Sequence, residues 1–194
     1  GDGYKNKELN DFLDSIKTKR IERAKKIVEN LAKFHDIHIT LESIMKNGKD
    51  TIARPHIAKA IIDAGYNYDK EYIFEHFIGN DCPAYIPSVQ IDTKEGVKLL
   101  KKHGAVVVLA HPVLLKKSSF QDVLAIGFDG LEGIYPMNSE DDTEKFLSYA
   151  KEHNLITSCG SDSHGGEDDL KHGSLGSMEM DEEWLTKFLT KLKA

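Results

Sequence analysis

Apolar residues recur at three- and four-residue steps at Leu9, Phe12, Leu13, Ile16, Ala24, Ile27, Val28 and Leu31. This spacing predicts one amphipathic helix over about residues 7–34. A short extended piece, Ile37-His38-Ile39, then leads to Thr40, which suits the cap of a brief helix over residues 41–46. Pro55 fits the first turn of the next helix, which carries Ile57, Ala58, Ala60, Ile61 and Ile62 and stops at Gly65. Asp69 caps a further helix running through Phe77. Residues 1–87 thus read as an all-helical module, closed by a connector from Pro83 to Pro87.

The pattern changes over residues 88–194. A helix near 93–103 precedes an apolar strand at 106–110, a helix near 119–126 precedes a strand at 131–135, and a helix over 140–153, capped by Ser139, precedes a strand at 155–159. Alternation on this scale predicts βαβ units and a parallel sheet, so the second part is α/β. A last helix, started by Asp181, carries Trp184, Leu185, Phe188, Leu189 and Leu192.

In parallel sheets, chemistry gathers at the C-terminal ends of the strands, where loops vary without disturbing the core. The strand at 106–110 ends in His111-Pro112, and the strand at 155–159 runs into Gly160-Ser161-Asp162-Ser163-His164-Gly165. If the backbone stays extended there, Asp162 and His164 project to one face. Two imidazoles and a carboxylate at neighbouring strand ends suit a hard or borderline divalent cation. The plainer alternatives are a Gly-Ser-Asp-Ser turn and a strand-end histidine that merely satisfies its neighbours. Glu132 is read as a solvated or paired acid.

Composition narrows the classes. The chain has 194 residues, 40% of them hydrophobic and 30% charged, which fits a folded globular protein rather than a disordered one. A net charge of −6 argues against duplex-DNA binding through a broad basic surface. No apolar run approaches a membrane span, and the N-terminus shows no signal-peptide pattern. Cys82 and Cys159 form no CxxC pair, so a cytoplasmic, reducing setting is expected.

Three motifs in order carry a family resemblance: Ala110-His111-Pro112, then Gly130-Leu131-Glu132 with Tyr135-Pro136, then Gly160-Ser161-Asp162-Ser163-His164-Gly165. The chain resembles the PHP (polymerase and histidinol phosphatase) family, and within it the metal-dependent phosphoesterases acting on nucleotides and short RNA. Arg20 and Arg23, Ala53-Arg54-Pro55-His56-Ile57-Ala58 and Pro83-Ala84-Tyr85-Ile86-Pro87 resemble the helical insertion of that subgroup. The resemblance implies that residues 88–194 are the C-terminal part of a distorted, TIM-barrel-like (β/α)₇ barrel, preceded by the helical insertion module over 1–87. It implies a hydrolase with His111, Asp162 and His164 as metal ligands. Manganese, zinc or iron would be the cation, with magnesium as a further option.

The resemblance also implies that Arg54 and His56 face the substrate phosphate; a guanidinium at a helix start binds oxyanions well, though each residue has a plainer reading as a surface charge or a packed imidazole. The run Lys17, Lys19, Arg20, Arg23, Lys25 and Lys26 is expected to be the solvated face of the long helix. The family opens with an H-x-H motif that this chain lacks; Asp36-Ile37-His38-Ile39-Thr40 has only one histidine and is not read as that motif. Val113-Leu114-Leu115-Lys116-Lys117 also departs from the arginine and tyrosine common after the His-Pro pair. The expectation is a chain whose N-terminal barrel strands are missing and whose activity alone is weak or absent. The alternative is a non-catalytic remnant or interaction module, forming a homodimer or pairing with a missing N-terminal segment. Expected partners are a phosphorylated nucleotide or short RNA, with neither membrane nor duplex DNA.

Overall fold

Chain contacts divide the protein into two compact units, Lys5–Gln90 and Ile91–Ala194, the second taking in Gly1–Tyr4. The computed structural model describes residues 2–48, 52–163 and 173–193. No helix among the described residues is long and apolar enough to cross a membrane.

In the first unit, α1 (Lys7–His35) starts at Asn6, whose side chain accepts from the Glu8 and Leu9 N–H groups. It stops where Asp36 turns left-handed at φ 53°. Next come α2 (Leu41–Gly48), α3 (Arg54–Asp63) and α4 (Lys70–His76). Thr40 Oγ1 accepts from the Ser43 N–H at 3.2 Å, and Asp69 Oδ1 from the Tyr72 N–H at 2.7 Å, so both expected caps are present. The apolar stripe of α1 buries Ala24, Ile27 and Leu31 against Ile44, Ile57, Ile61 and Ile73, which makes one continuous core.

The second unit is α/β. Its elements are α5 (Thr93–Lys102), β1 (Val108–Leu109), α6 (Phe120–Leu124), β2 (Gly130–Ile134), α7 (Glu140–Glu152), β3 (Ile156–Cys159) and α8 (Glu182–Lys193). The three strands pair in parallel in the order β1-β2-β3. Leu109, Leu131, Phe146 and Ala150 are buried together, with Phe120 edge-on to Phe146. Gly130 lets β2 and β3 approach closely, since a Cβ there would collide with the Ile156 carbonyl. At α7, Ser139 and Asp142 cap each other, each side chain accepting from the other's N–H at 3.1 Å.

β1 is shorter than the predicted 106–110, and a side chain explains why. The Asp129 carboxylate accepts from the Val107 N–H at 2.9 Å, while the Asp129 N–H donates to the Val107 carbonyl at 2.7 Å. Lys101 and Lys191 reach the same carboxylate at 3.2 and 3.3 Å. Burial pushes the Asp129 carboxyl up, but the Val107 N–H and the two ammonium groups outweigh it and hold it below its ordinary value.

Candidate functional site

The ends of β1, β2 and β3 place His111, Glu132, Tyr135 and Asp162 at one edge of the sheet. His111 follows β1 in a left-handed conformation, φ 33° and ψ 62°. A non-glycine residue there is strained by roughly 1–3 kcal/mol, so its surroundings must hold it. Its N–H donates to Glu132 Oε2 at 2.7 Å. Its ring stands 5.7 Å from the ring of Tyr135, centroid to centroid. Tyr135 is only 2% exposed, yet its hydroxyl reaches out to donate to Asp162 Oδ2 at 3.1 Å. One buried phenol therefore touches both the imidazole and the carboxylate that the sequence singles out.

The backbone premise behind that pairing is corrected. β3 ends at Cys159, and Asp162 sits at φ 50°, so the segment is a turn rather than a continued strand. Face alternation therefore does not set the direction of the Asp162 side chain, which accepts a bond from Tyr135. His164 lies outside the described residues.

Burial raises the Glu132 carboxyl above its ordinary value. The His111 N–H and imidazole oppose the rise, and the negative charge of Asp162 adds to it. Burial and Glu132 likewise push the Cys159 thiol up, which keeps it protonated and a poor nucleophile at neutral pH. Among the described residues, no three His, Cys, Asp or Glu side chains converge as a complete cation cage. The donors present, the His111 imidazole and the Asp162 carboxylate, fit part of a site for a borderline divalent cation, which would offset the repulsion between Asp162 and Glu132.

Arg54 and His56, in the helical unit, open α3. The Arg54 guanidinium lies 5.7 Å from the Phe74 ring centroid and 5.5 Å from that of Tyr85. Its Nη1 donates to Asn80 Oδ1 at 3.0 Å and more weakly to the Ile78 carbonyl at 3.4 Å. His56 Nδ1 accepts from the Ala53 N–H at 3.1 Å and so acts as a helix cap, leaving the proton on Nε2.

Arg23 corrects the expectation of a wholly solvated basic face. Lys17, Lys19, Arg20, Lys25 and Lys26 are exposed, but Arg23 is half-buried. Its Nε donates to the Ile86 carbonyl at 2.6 Å, while Nη2 is buried with no partner among the described residues. Burial first, then the charge of Arg54, pushes its pKa down; Tyr85 opposes this and Arg20 adds to it. A sequence signal existed: Arg23 adjoins Ala24 and stands four residues before Ile27, on the shoulder of the apolar stripe.

No protein-family model matches the chain. It is 29% identical over 168 residues to the 3′,5′-nucleoside bisphosphate phosphatase of Chromobacterium violaceum, covering 80% of this chain and 59% of the relative. It is 23% identical over 163 residues to a 5′-3′ exoribonuclease of Haemophilus influenzae, covering 81% and 59%. The chain thus spans about three-fifths of the length of these curated relatives. Among solved structures, a Bifidobacterium adolescentis protein assigned as a metal-dependent phosphoesterase superposes with a TM-score of 0.76 and 30% identity, over 96% of this chain and 67% of that one. A Chromobacterium violaceum structure described as an amidohydrolase, with bound sulfate and no metal, gives a TM-score of 0.66 and 28% identity over 87% and 60%. On these likenesses the chain belongs to the PHP family.

Proposed function

We propose that the protein hydrolyses phosphoesters of nucleotides or short RNA with the aid of divalent cations. One observation carries the reading furthest. Arg23 keeps a buried guanidinium nitrogen unpartnered among the described residues, with Arg54 close enough to lower its pKa. Two guanidiniums held together in this way are a poor arrangement for stability and a good one for a phosphate, whose oxygens would satisfy both.

Arg54 and His56 are assigned to the substrate phosphate, and Arg23 joins them. Asn80, Phe74 and Tyr85 keep the Arg54 guanidinium in one orientation, so little ordering is needed when the anion arrives. The Nε2–H of His56 is the donor it has left to offer. His111, Asp162 and His164 are assigned to the cation, with manganese, zinc or iron favoured over magnesium by the imidazole content. When bound, the cation supplies a water of lowered pKa and a Lewis-acidic contact to a phosphoryl oxygen. Tyr135 holds the Asp162 carboxylate toward that role.

The names of the relatives supply the substrate classes, a nucleoside 3′,5′-bisphosphate and the 5′ end of an RNA. The fold reading is the C-terminal part of a distorted (β/α)₇ barrel, with the helical unit as its insertion. The two free cysteines, Cys82 and Cys159, accord with a reducing, cytoplasmic setting. A second reading, an association module forming a homodimer or pairing with a further segment, draws on Leu185, Leu189 and Leu192, which expose an apolar stripe along α8. Light scattering tests it: a monomer at all concentrations contradicts self-association.

Calorimetric titration tests the main reading without requiring turnover. Adenosine 3′,5′-bisphosphate should bind at least about tenfold more tightly than adenosine, and Arg54→Ala or Arg23→Ala should remove that advantage. Equal affinity for both ligands contradicts the assignment.

A further inference from the structure

The mechanism leaves Glu132 without a role, yet its surroundings are specific. It lies on β2, the central strand, in register with Ser158 of β3. One carboxylate oxygen, Oε2, accepts the His111 N–H at 2.7 Å, a short charge-assisted bond. The other, Oε1, faces Gly160, where an added Cβ would stand 2.9 Å away. The carboxylate thus bridges from the middle strand to the turns that follow both of its neighbours.

His111 needs such support. It holds φ 33° without being glycine, and it precedes Pro112, whose ring further restricts the backbone before it. We propose that Glu132 is a positioning residue whose carboxylate locks the His111 backbone in its left-handed turn and so fixes the direction of the imidazole. Its consequence for activity rests on the cation-holding role proposed for His111; the positioning itself does not. One oxygen is engaged by the His111 N–H and the other lies beside Gly160, and the cobalt titration separates this role from that of a direct cation ligand.

Nuclear magnetic resonance of the ¹⁵N-labelled chain tests this directly through the exchange rate of the His111 amide and the contacts between the His111 and Tyr135 rings. Glu132→Ala should speed the exchange at least about tenfold and erase the ring contacts. Glu132→Gln keeps an acceptor oxygen and should restore most of both. Gly160→Ala, which displaces the carboxylate by crowding Oε1, should shift the His111 amide in the direction of Glu132→Ala. Unchanged exchange and ring contacts in a folded Glu132→Ala variant overturn the proposal, as does a Glu132→Gln variant no better than alanine. Should the alanine variant not fold, Glu132→Gln and Gly160→Ala decide by the same readouts.

Cobalt(II) added to the same proteins separates this from the cation reading. Glu132→Ala should weaken cobalt binding by about tenfold or more, and Glu132→Gln by much less. If His111→Ala leaves cobalt binding unchanged, the cation reading fails while the amide and ring data still judge the positioning. If Glu132→Gln and Glu132→Ala weaken cobalt equally with His111 undisturbed, Glu132 is itself a ligand and the proposal is wrong.

Discussion

Tyr135 donates its hydroxyl to Asp162 Oδ2 at 3.1 Å, across the gap between the ends of β2 and β3. The phenol belongs to the core and the carboxylate is exposed, so the bond ties a solvent-facing donor to the rigid part of the fold. Tyr135→Phe keeps the ring packing against His111 and removes that bond together with the weak donation to Met137 Sδ at 3.6 Å. Manganese affinity should fall by about tenfold, the usual effect of losing a partner behind a ligand, with the fold intact. Metal titration alongside circular dichroism checks both halves of this expectation.

Arg23 presents a conflict between stability and binding. Its buried Nη2 has no partner among the described residues, and Arg54 adds repulsion. Arg23→Met keeps the packing stem and removes both the charge and the Nε bond to the Ile86 carbonyl, two opposing effects, so urea unfolding should change by no more than about 1 kcal/mol. Bisphosphate affinity should drop by about tenfold or more. A variant that loses stability and keeps its affinity would show that the guanidinium is structural.

Asp129 sets a pH dependence of known sign. Its carboxyl is held below its ordinary value in the folded protein, so the stability it lends is complete above the unfolded pKa of about 3.9. That contribution is lost as the pH falls through the lower folded value. Asp129→Asn removes the two lysine ion pairs and should cost about 2 kcal/mol at pH 7. The difference between wild type and variant should close in acid; denaturant titrations at pH 7 and at progressively lower pH measure it.

Gly130 should tolerate no side chain. Alanine there drives its Cβ into the Ile156 carbonyl of the adjacent strand, and strand separation should cost about 1–3 kcal/mol. Thermal unfolding of Gly130→Ala gives the value, with Gly96→Ala on α5 as a benign comparison, since the nearest atom to a Cβ there is 3.8 Å away.

The caps were legible because capping is local: Thr40, Asp69 and Ser139 bond to backbone within three residues. The meeting of His111 and Asp162 at one sheet edge followed from the apolar runs that precede them and from the parallel topology. What the sequence hid depends on partners far along the chain. β1 is cut short by a carboxylate at 129, and Arg23 is half-buried because Ile86 arrives from 63 residues away. Alternation does not carry past the last strand residue to Asp162, where backbone φ is no longer fixed by the sheet.

Metal analysis of the purified chain bears most directly on the account. After incubation with manganese or zinc and removal of excess, wild type should retain a cation that His111→Ala and Asp162→Ala both lose, each variant remaining folded by circular dichroism. Equal metal content in all three proteins would contradict a cation site at the ends of β1 and β3.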